Sequence, residues 1–166
     1  KSGTSSLTNL DIHDIARCSR SYGVAQCLVV TPIADQQKLL HTLTQYWTQG
    51  AGSRSNPDRA EALHLVQGVA SLEEAVVCVE RYAGQRPLVI GTSARLEGAL
   101  PPGDLRAMLT ERPVLLVFGT AQGLAPEALA LCDHIARPLR FMDEYNHLPV
   151  RGAAAILLDR ILGDWY

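Results

Sequence analysis

Residues 113–118 read PVLLVF, six positions without one polar side chain. A run this short cannot cross a bilayer, and its β-branched and aliphatic content suits a strand buried on both faces, as in a parallel sheet. Similar short apolar runs at 27–31, 63–66, 87–90 and 135–139 alternate with longer segments of helical periodicity. Strand–helix alternation of this kind specifies an α/β fold with a parallel, Rossmann-like sheet. The spacing predicts a helix over about 10–22 stopped by Gly23, and one over 36–48 with Leu39, Leu40, Leu43 and Trp47 on one face. A further helix follows a Ser71/Glu74 capping box, and Asp104 caps a short helix to residue 109. Another starts at Pro126, and an apolar helix covers about 150–162. The segment 49–59, QGAGSRSNPDR, reads as a loop. Ala153–Ala155, Ile156, Leu157, Leu158, Ile161 and Leu162 are apolar nearly all round, so the last helix is expected to be buried on most sides.

With 166 residues, 47% of them apolar and 19% charged, the chain suits one globular domain. It has no apolar stretch of about 20 residues and no signal-peptide core, so a cytoplasmic, membrane-free protein is expected. Cys18, Cys27, Cys78 and Cys132 form no C-x-x-C pair and read as reduced thiols, with no metal site. The net charge of −2 does not advertise a nucleic-acid binder, so any RNA contact would need local basic clusters or a dimer groove. The chain opens on Lys1 and a polar KSGTSS, as a piece of a longer protein would.

Parallel sheets bind ligands beyond the carboxyl ends of their strands. Three such ends carry small or hydroxylated residues: Thr92-Ser93-Ala94, Gly119-Thr120-Ala121-Gln122-Gly123, and Pro138-Leu139. Each is also compatible with a plain tight β–α turn. The glycine segment lacks the Lys-Ser/Thr of a P-loop and is not G-x-G-x-x-G, so a phosphate-free adenosine ligand fits better than a nucleotide.

FGTAQGL (118–124), HIARPL (134–139) and YNHLPVRGAAAILLDRIL (145–162) resemble the last two motifs of the SPOUT methyltransferases. TNLDIHDIARCSRSYGV (8–24), NPDR (56–59) and TSAR (92–95) extend the resemblance to a small bacterial SPOUT family of RNA methyltransferases, some fused to tRNA guanine-N1 methyltransferase. The resemblance covers nearly the whole chain. It implies a deep carboxyl-terminal trefoil knot, bound S-adenosyl-L-methionine, an RNA substrate (tRNA or rRNA) and a homodimer, with a first β-strand missing from this chain. It places Thr92 and Ser93 beside the adenosine, and Gly119, Thr120, Gly123 and Leu124 round the ribose and methionine. Arg137, Leu139 and Leu148 would offer backbone groups to the adenine, although Leu124 and Leu148 also fit as core leucines.

The chain departs from the family pattern at Pro149 and Gly152, where serines are expected, at Ala121 and Gln122, and at Phe141. Two lost hydroxyls leave open a cofactor-binding but catalytically silent RNA-binding module. An unknotted flavodoxin-like protein is the remaining alternative. On the RNA side, Arg17 stands six residues before Gly23, where SPOUT ribose methylases carry a catalytic arginine, and Asp11 stands where they carry asparagine. A pKa above about 12 makes an arginine a better orienting group than a base. Arg17 also reads as a surface arginine paired with Asp11 or Asp14. His13 and Asp14 are adjacent on a helix and unsuited to one metal. Asn146 and His147 lie in the loop expected to cross the pocket, and Arg54, Asn56 and Arg59 in a polar loop that suits RNA or plain solvation. Arg20, Arg137, Arg140 and Arg151 would add a basic rim in a dimer.

Overall fold

The computed structural model describes residues 6–95, 100–120, 123–139 and 145–164. The chain divides into two compact units, one of residues 6–75 and one that runs on from residue 76.

The unit of residues 6–75 begins with α1 (Asn9–Ser21). Thr8 caps it, its hydroxyl oxygen accepting from the Asp11 amide at 3.3 Å, and Ile12, Ala16 and Ser19 form the buried stripe. The helix ends at Tyr22, and Gly23 follows in the left-handed region, as its sequence position predicts. Strand β1 (Cys27–Val30) leads to α2 (Ala34–Thr48) through buried Thr31, whose hydroxyl donates to Gln36 Oε1 at 2.9 Å and whose carbonyl accepts from Gln37 Nε2 at 2.8 Å.

The loop expected over 49–59 is instead two short helices, α3 (Ala51–Ser55) and α4 (Pro57–Leu63). The residues that suggested a loop have other physical roles. Gly52 is buried because a Cβ there would stand 2.7 Å from Trp47 Cε3, Pro57 occupies the first helical position, and Asn56 Oδ1 accepts from the Arg59 amide at 3.0 Å. The strand expected over 63–66 is displaced as well. Leu63 closes α4, and β2 is Val66–Val69, parallel to β1 with Cys27 opposite Val66. Ile12, Ala16, Leu40, Ala62 and Leu63 form this unit's core.

Helix α5 (Leu72–Ala83) carries the predicted capping box: Ser71 Oγ accepts from the Glu74 amide at 3.2 Å. The returning Glu74 carboxylate takes the Ala70 amide at 2.6 Å.

In the second unit β3 (Leu88–Gly91), buried at every position, is central to a three-stranded parallel sheet. After α6 (Pro102–Met108), β4 (Val114–Val117) pairs with β3 on one side. After α7 (Pro126–Ala130), β5 (His134–Ile135) pairs with it on the other, so the strand expected over 135–139 lies earlier and is shorter. Its entry is held by Asp133, whose amide donates to the Val89 carbonyl and whose Oδ2 accepts from the Val89 amide, both at 2.8 Å. Helix α6 is capped at Pro101, and Asp104 sits inside the first turn as an acidic residue facing the helix dipole rather than as the cap.

Helix α8 (Val150–Leu162) buries Ala154, Leu157, Leu158 and Ile161, one stripe at helical spacing. Every residue from 150 to 158 is buried or half-buried, as expected, while Asp159, Arg160 and Leu162 are exposed, so the cover is broad over the first turns and one-sided only in the last. Leu157 and Ile161 join Leu88, Ile90, Leu105 and Ala136 in this unit's core. Arg140 and Phe141 lie outside the described residues.

Candidate functional site

The three strand ends singled out in the sequence meet at one end of the second unit's sheet. At the end of β3, Thr92 makes two bonds to the Val117 carbonyl, from its amide at 3.0 Å and its hydroxyl at 2.9 Å, tying the ends of β3 and β4 together. Ser93 Oγ accepts from the Arg95 amide at 3.1 Å and folds the following turn.

At the end of β4, Gly119 lies so close to the returning chain that a Cβ would stand 2.4 Å from the carbonyl carbon of Gly123 and 2.5 Å from the Leu124 nitrogen. Gly123, at φ +93°, donates its amide to the Thr120 carbonyl at 2.9 Å. On the side of Gly123 that a Cβ would occupy, none of the described residues beyond its chain neighbours comes within 4 Å. The turn is therefore closed on itself at Gly119 and open outward at Gly123. Ala121 and Gln122 lie outside the described residues. Leu124 is half-buried and reaches towards Gly91, in the last position of β3.

Beyond β5, Ala136 donates to the Gly91 carbonyl at 2.9 Å and the Arg137 amide to Leu100 at 2.8 Å. Leu139 packs on the core, and its carbonyl accepts from Arg160 Nη1 at 3.3 Å. The loop before α8 reaches the end of β3 through Asn146, whose Nδ2 donates to the Ala94 carbonyl at 2.9 Å. His147 packs against Tyr145 with ring centroids 5.3 Å apart, and Leu148 is 43% exposed, which removes its reading as a core leucine. Pro149 caps α8 without a side-chain bond, and its ring stands 3.3 Å from where a Cβ on Gly152 would be. Arg151 is half-buried in the first turn of that helix.

The described residues of the Gly119–Gly123 turn offer only amides, carbonyls and a hydroxyl, while Arg95, Arg137 and Arg160 stand at the neighbouring strand ends and Cys132 lies behind. Burial, and then the Asp133 charge, push that thiol's pKa up and keep it protonated. A turn without a lysine or arginine has nothing to neutralise phosphates, whereas backbone groups suit the edges of a base and a ribose. The residues present thus fit an uncharged nucleoside or one carrying a sulfonium. Among the described residues no group of three or more His, Cys, Asp or Glu is arranged to hold a metal.

The unit of residues 6–75 holds the other predicted residues. Arg17 is exposed on α1, and Arg54 is exposed on α3. Asp11 accepts a hydrogen bond from the Thr8 hydroxyl and so belongs to the helix cap. Arg20 is ion-paired with Glu61, its Nε donating at 2.8 Å. Arg59 is no solvated loop arginine. It is half-buried on α4 with its guanidinium carbon 4.9 Å from the Trp47 ring centre. His13 meets the same indole edge-on, at 5.4 Å and 85°. Burial, then the Arg59 charge and to a lesser extent Arg17, lower its pKa, with Asp14 opposing. Sequence reasoning placed Trp47 on a helix face and missed this cluster. The buried Gly52 beneath the ring was its one signal, and it was read as a turn.

A family model described as SAM-dependent RNA methyltransferase matches residues 1–163, running unbroken through both units. A tRNA (guanine-N(1)-)-methyltransferase of Nitratidesulfovibrio vulgaris is 60% identical over 165 residues, which are 99% of this chain and 39% of that protein. An uncharacterized protein of Aquifex aeolicus is 36% identical over 159 residues, 94% of this chain and 78% of that protein. The chain thus spans about two-fifths of the length of its N. vulgaris relative. Among solved structures, the SpoU methyltransferase AviRb of Streptomyces viridochromogenes in complex with AdoMet aligns with a TM-score of 0.65 at 21% identity, covering 95% of this chain and 54% of that one. A TrmH/SpoU tRNA modifying enzyme of A. aeolicus aligns with a TM-score of 0.60 at 15% identity, covering 95% and 70%. At such identities the likeness is one of fold, and the fold is the SPOUT α/β fold.

Proposed function

The chain belongs to the SAM-dependent RNA methyltransferase family, and from that premise we propose that it holds S-adenosyl-L-methionine at the three strand ends of its second unit and directs a methyl group to RNA. The observation that carries this is the Gly119–Gly123 turn, sealed against its own backbone on one side, open on the other, and free of any cation in its described residues.

In this reading Thr92 and Ser93 line the adenosine, and Gly119, Thr120, Gly123 and Leu124 wrap the ribose and methionine. Arg137, Leu139 and Leu148 offer backbone groups to the base. The carboxyl-terminal segment passes through a loop to form the trefoil knot of the SPOUT class. The bound cofactor supplies an electrophilic methyl group on a sulfonium, a reaction that needs no metal. What the chain's own residues contribute is placement, which provides about 7–11 kcal/mol in well-oriented systems. Arg17 orients the acceptor as a fixed cation, because a guanidinium with a pKa above about 12 does not serve as a base near neutrality. Arg54, Arg59, Asn146, His147 and Arg151 are the side chains offered to the RNA, Asp11 being taken up by the cap of α1.

We favour tRNA because the N. vulgaris relative is named for it. Guanine-N1 chemistry is attached to the name of a longer protein of which this chain matches 39%. A cytoplasmic homodimer completes the reading. Exposed Tyr145, Leu148 and Leu162 in the second unit give a dimer apolar surface to cover, and no described helix is long and apolar enough to cross a membrane. Light scattering tests the dimer, a monomer at micromolar concentration overturning it.

Calorimetry with S-adenosyl-L-methionine and S-adenosylhomocysteine tests the cofactor. Micromolar binding of either supports it, and no heat from either below a millimolar overturns it. A specific observation favours a second reading, a cofactor-binding but catalytically silent RNA-binding module: the cap of α8 is Pro149, with no hydroxyl to offer. Transfer of tritiated methyl to bulk unmodified tRNA and rRNA separates the two.

A further inference from the structure

Buried polar atoms in folded proteins almost always have partners, and the exceptions ask for a reason. Two such exceptions, Nδ1 of His13 and Nε of Arg59, lie around one indole, that of Trp47. Arg59 rests its guanidinium on the ring face, while His13 abuts the same ring at right angles. The position of Arg59 is fixed from below. Asn56 caps its helix by taking the Arg59 amide, and Gly52 leaves the room that lets Trp47 and Tyr46 pack there. A guanidinium lying over a ring keeps its N–H donors directed outward round its own edge, where two oxygens of a phosphate can take them. The charged groups bearing on His13 are Arg59 from α4 and Asp14 and Arg17 from its own helix, so two cations oppose one carboxylate. By contrast Arg20 is already bound to Glu61.

We propose that His13 and Arg59, bordered by Arg17, form a phosphodiester-binding site for the RNA substrate, with Trp47 as the platform that presents Arg59. The proposal rests on the reading that RNA is the substrate. Both orphaned nitrogens are sealed from solvent, so an incoming phosphate meets the outer edges of the two side chains and offsets the excess of cations bearing on His13. His13, neutral in the free protein, takes up a proton as the phosphate arrives.

The test is anisotropy titration of labelled bulk tRNA with the full chain, from 50 to 300 mM salt and from pH 5.5 to 8. Wild type, Arg59→Gln, Arg59→Lys and His13→Asn are compared, with circular dichroism to confirm folding. Arg59→Gln is expected to weaken binding at least tenfold and to lower the log–log salt slope by about one, the mark of one lost phosphate contact. Arg59→Lys keeps the slope with weaker binding. In wild type the affinity rises as the pH falls below 7, and His13→Asn, a neutral side chain, removes that rise. Unchanged slope and affinity in a folded Arg59→Gln, or an unchanged pH profile in His13→Asn, overturns the site and leaves the RNA reading standing. No tRNA binding by wild type at 50 mM salt overturns both, while calorimetry with S-adenosyl-L-methionine still reports on the cofactor separately.

Discussion

Gly119 and Gly123 meet backbone to backbone, with room between the Cα hydrogen of the first and the carbonyl carbon of the second but none for a methyl group. The turn at the end of β4 is thus specified twice, by contact at Gly119 and by the positive φ of Gly123.

Gly119→Ala must push the returning chain away, whereas Gly123→Ala has space but a disfavoured conformation worth roughly 1–2 kcal/mol. We expect Gly119→Ala to reduce S-adenosyl-L-methionine affinity by more than about tenfold (~1.4 kcal/mol), with a smaller loss for Gly123→Ala. Calorimetry alongside thermal unfolding checks the order of the two.

Asn56→Ala removes the side-chain oxygen that caps α4 and fixes the Arg59 amide. Loss of such a cap costs about 1 kcal/mol. Urea unfolding is expected to show that loss in midpoint with an unchanged slope, and Asn56→Asp is expected to restore most of it.

Ile161→Ala and Leu157→Ala each empty space in the core under α8. Truncations of this kind cost roughly 2–5 kcal/mol. Leu162→Ala, on the exposed side of the same helix, should cost less than about 0.5 kcal/mol in the monomer. A larger loss for Leu162 that grows with protein concentration would instead report a dimer contact.

The pKa of His13 is lowered in the fold, so protonation stabilises the unfolded chain more than the folded one. The contribution is present above the ordinary histidine value of about 6.5 and is lost as the pH falls through that value towards the folded one. The melting temperature should therefore drop between pH 7 and 5.5, with a shallower drop in His13→Gln.

Burial raises the Cys27 thiol to about 11, against a slight lowering by its hydrogen bond with Ser19. The folded chain refuses to ionise where the unfolded one does, so stability from this group falls as the pH rises from about 9 towards 11. Site-resolved alkylation with iodoacetamide at pH 8 should modify Cys27 far more slowly in the native protein than in urea.

The β/α alternation, the stop of α1 at Gly23, the capping of α5, strands β1, β3 and β4 and the glycine turn were legible because each rests on local pattern: periodicity, a cap residue, or an unbroken apolar run. Residues 49–69 were not. Gly50, Gly52, Asn56 and Pro57 carry the same composition whether they make a loop or pack helices end to end, and only the Trp47 ring above Gly52 decides between them. The ALHLV run likewise gives no sign of where α4 stops and β2 starts, since both elements bury leucine and valine. Arg59 illustrates the limit for the site. Its chemistry was visible from sequence, but its half-buried seat on an indole depends on a helix that the loop reading had dissolved.

Asp133 grips Val89 with both its amide and its carboxylate, one position ahead of a two-residue strand. That double hold indexes β5 before it begins. A slip by one residue would reverse which side chains of Ala136, Arg137 and Leu139 face inward. The heading on which the polypeptide leaves the sheet, and with it the alignment of any base lying along that edge, is therefore decided by an aspartate that never has to touch it.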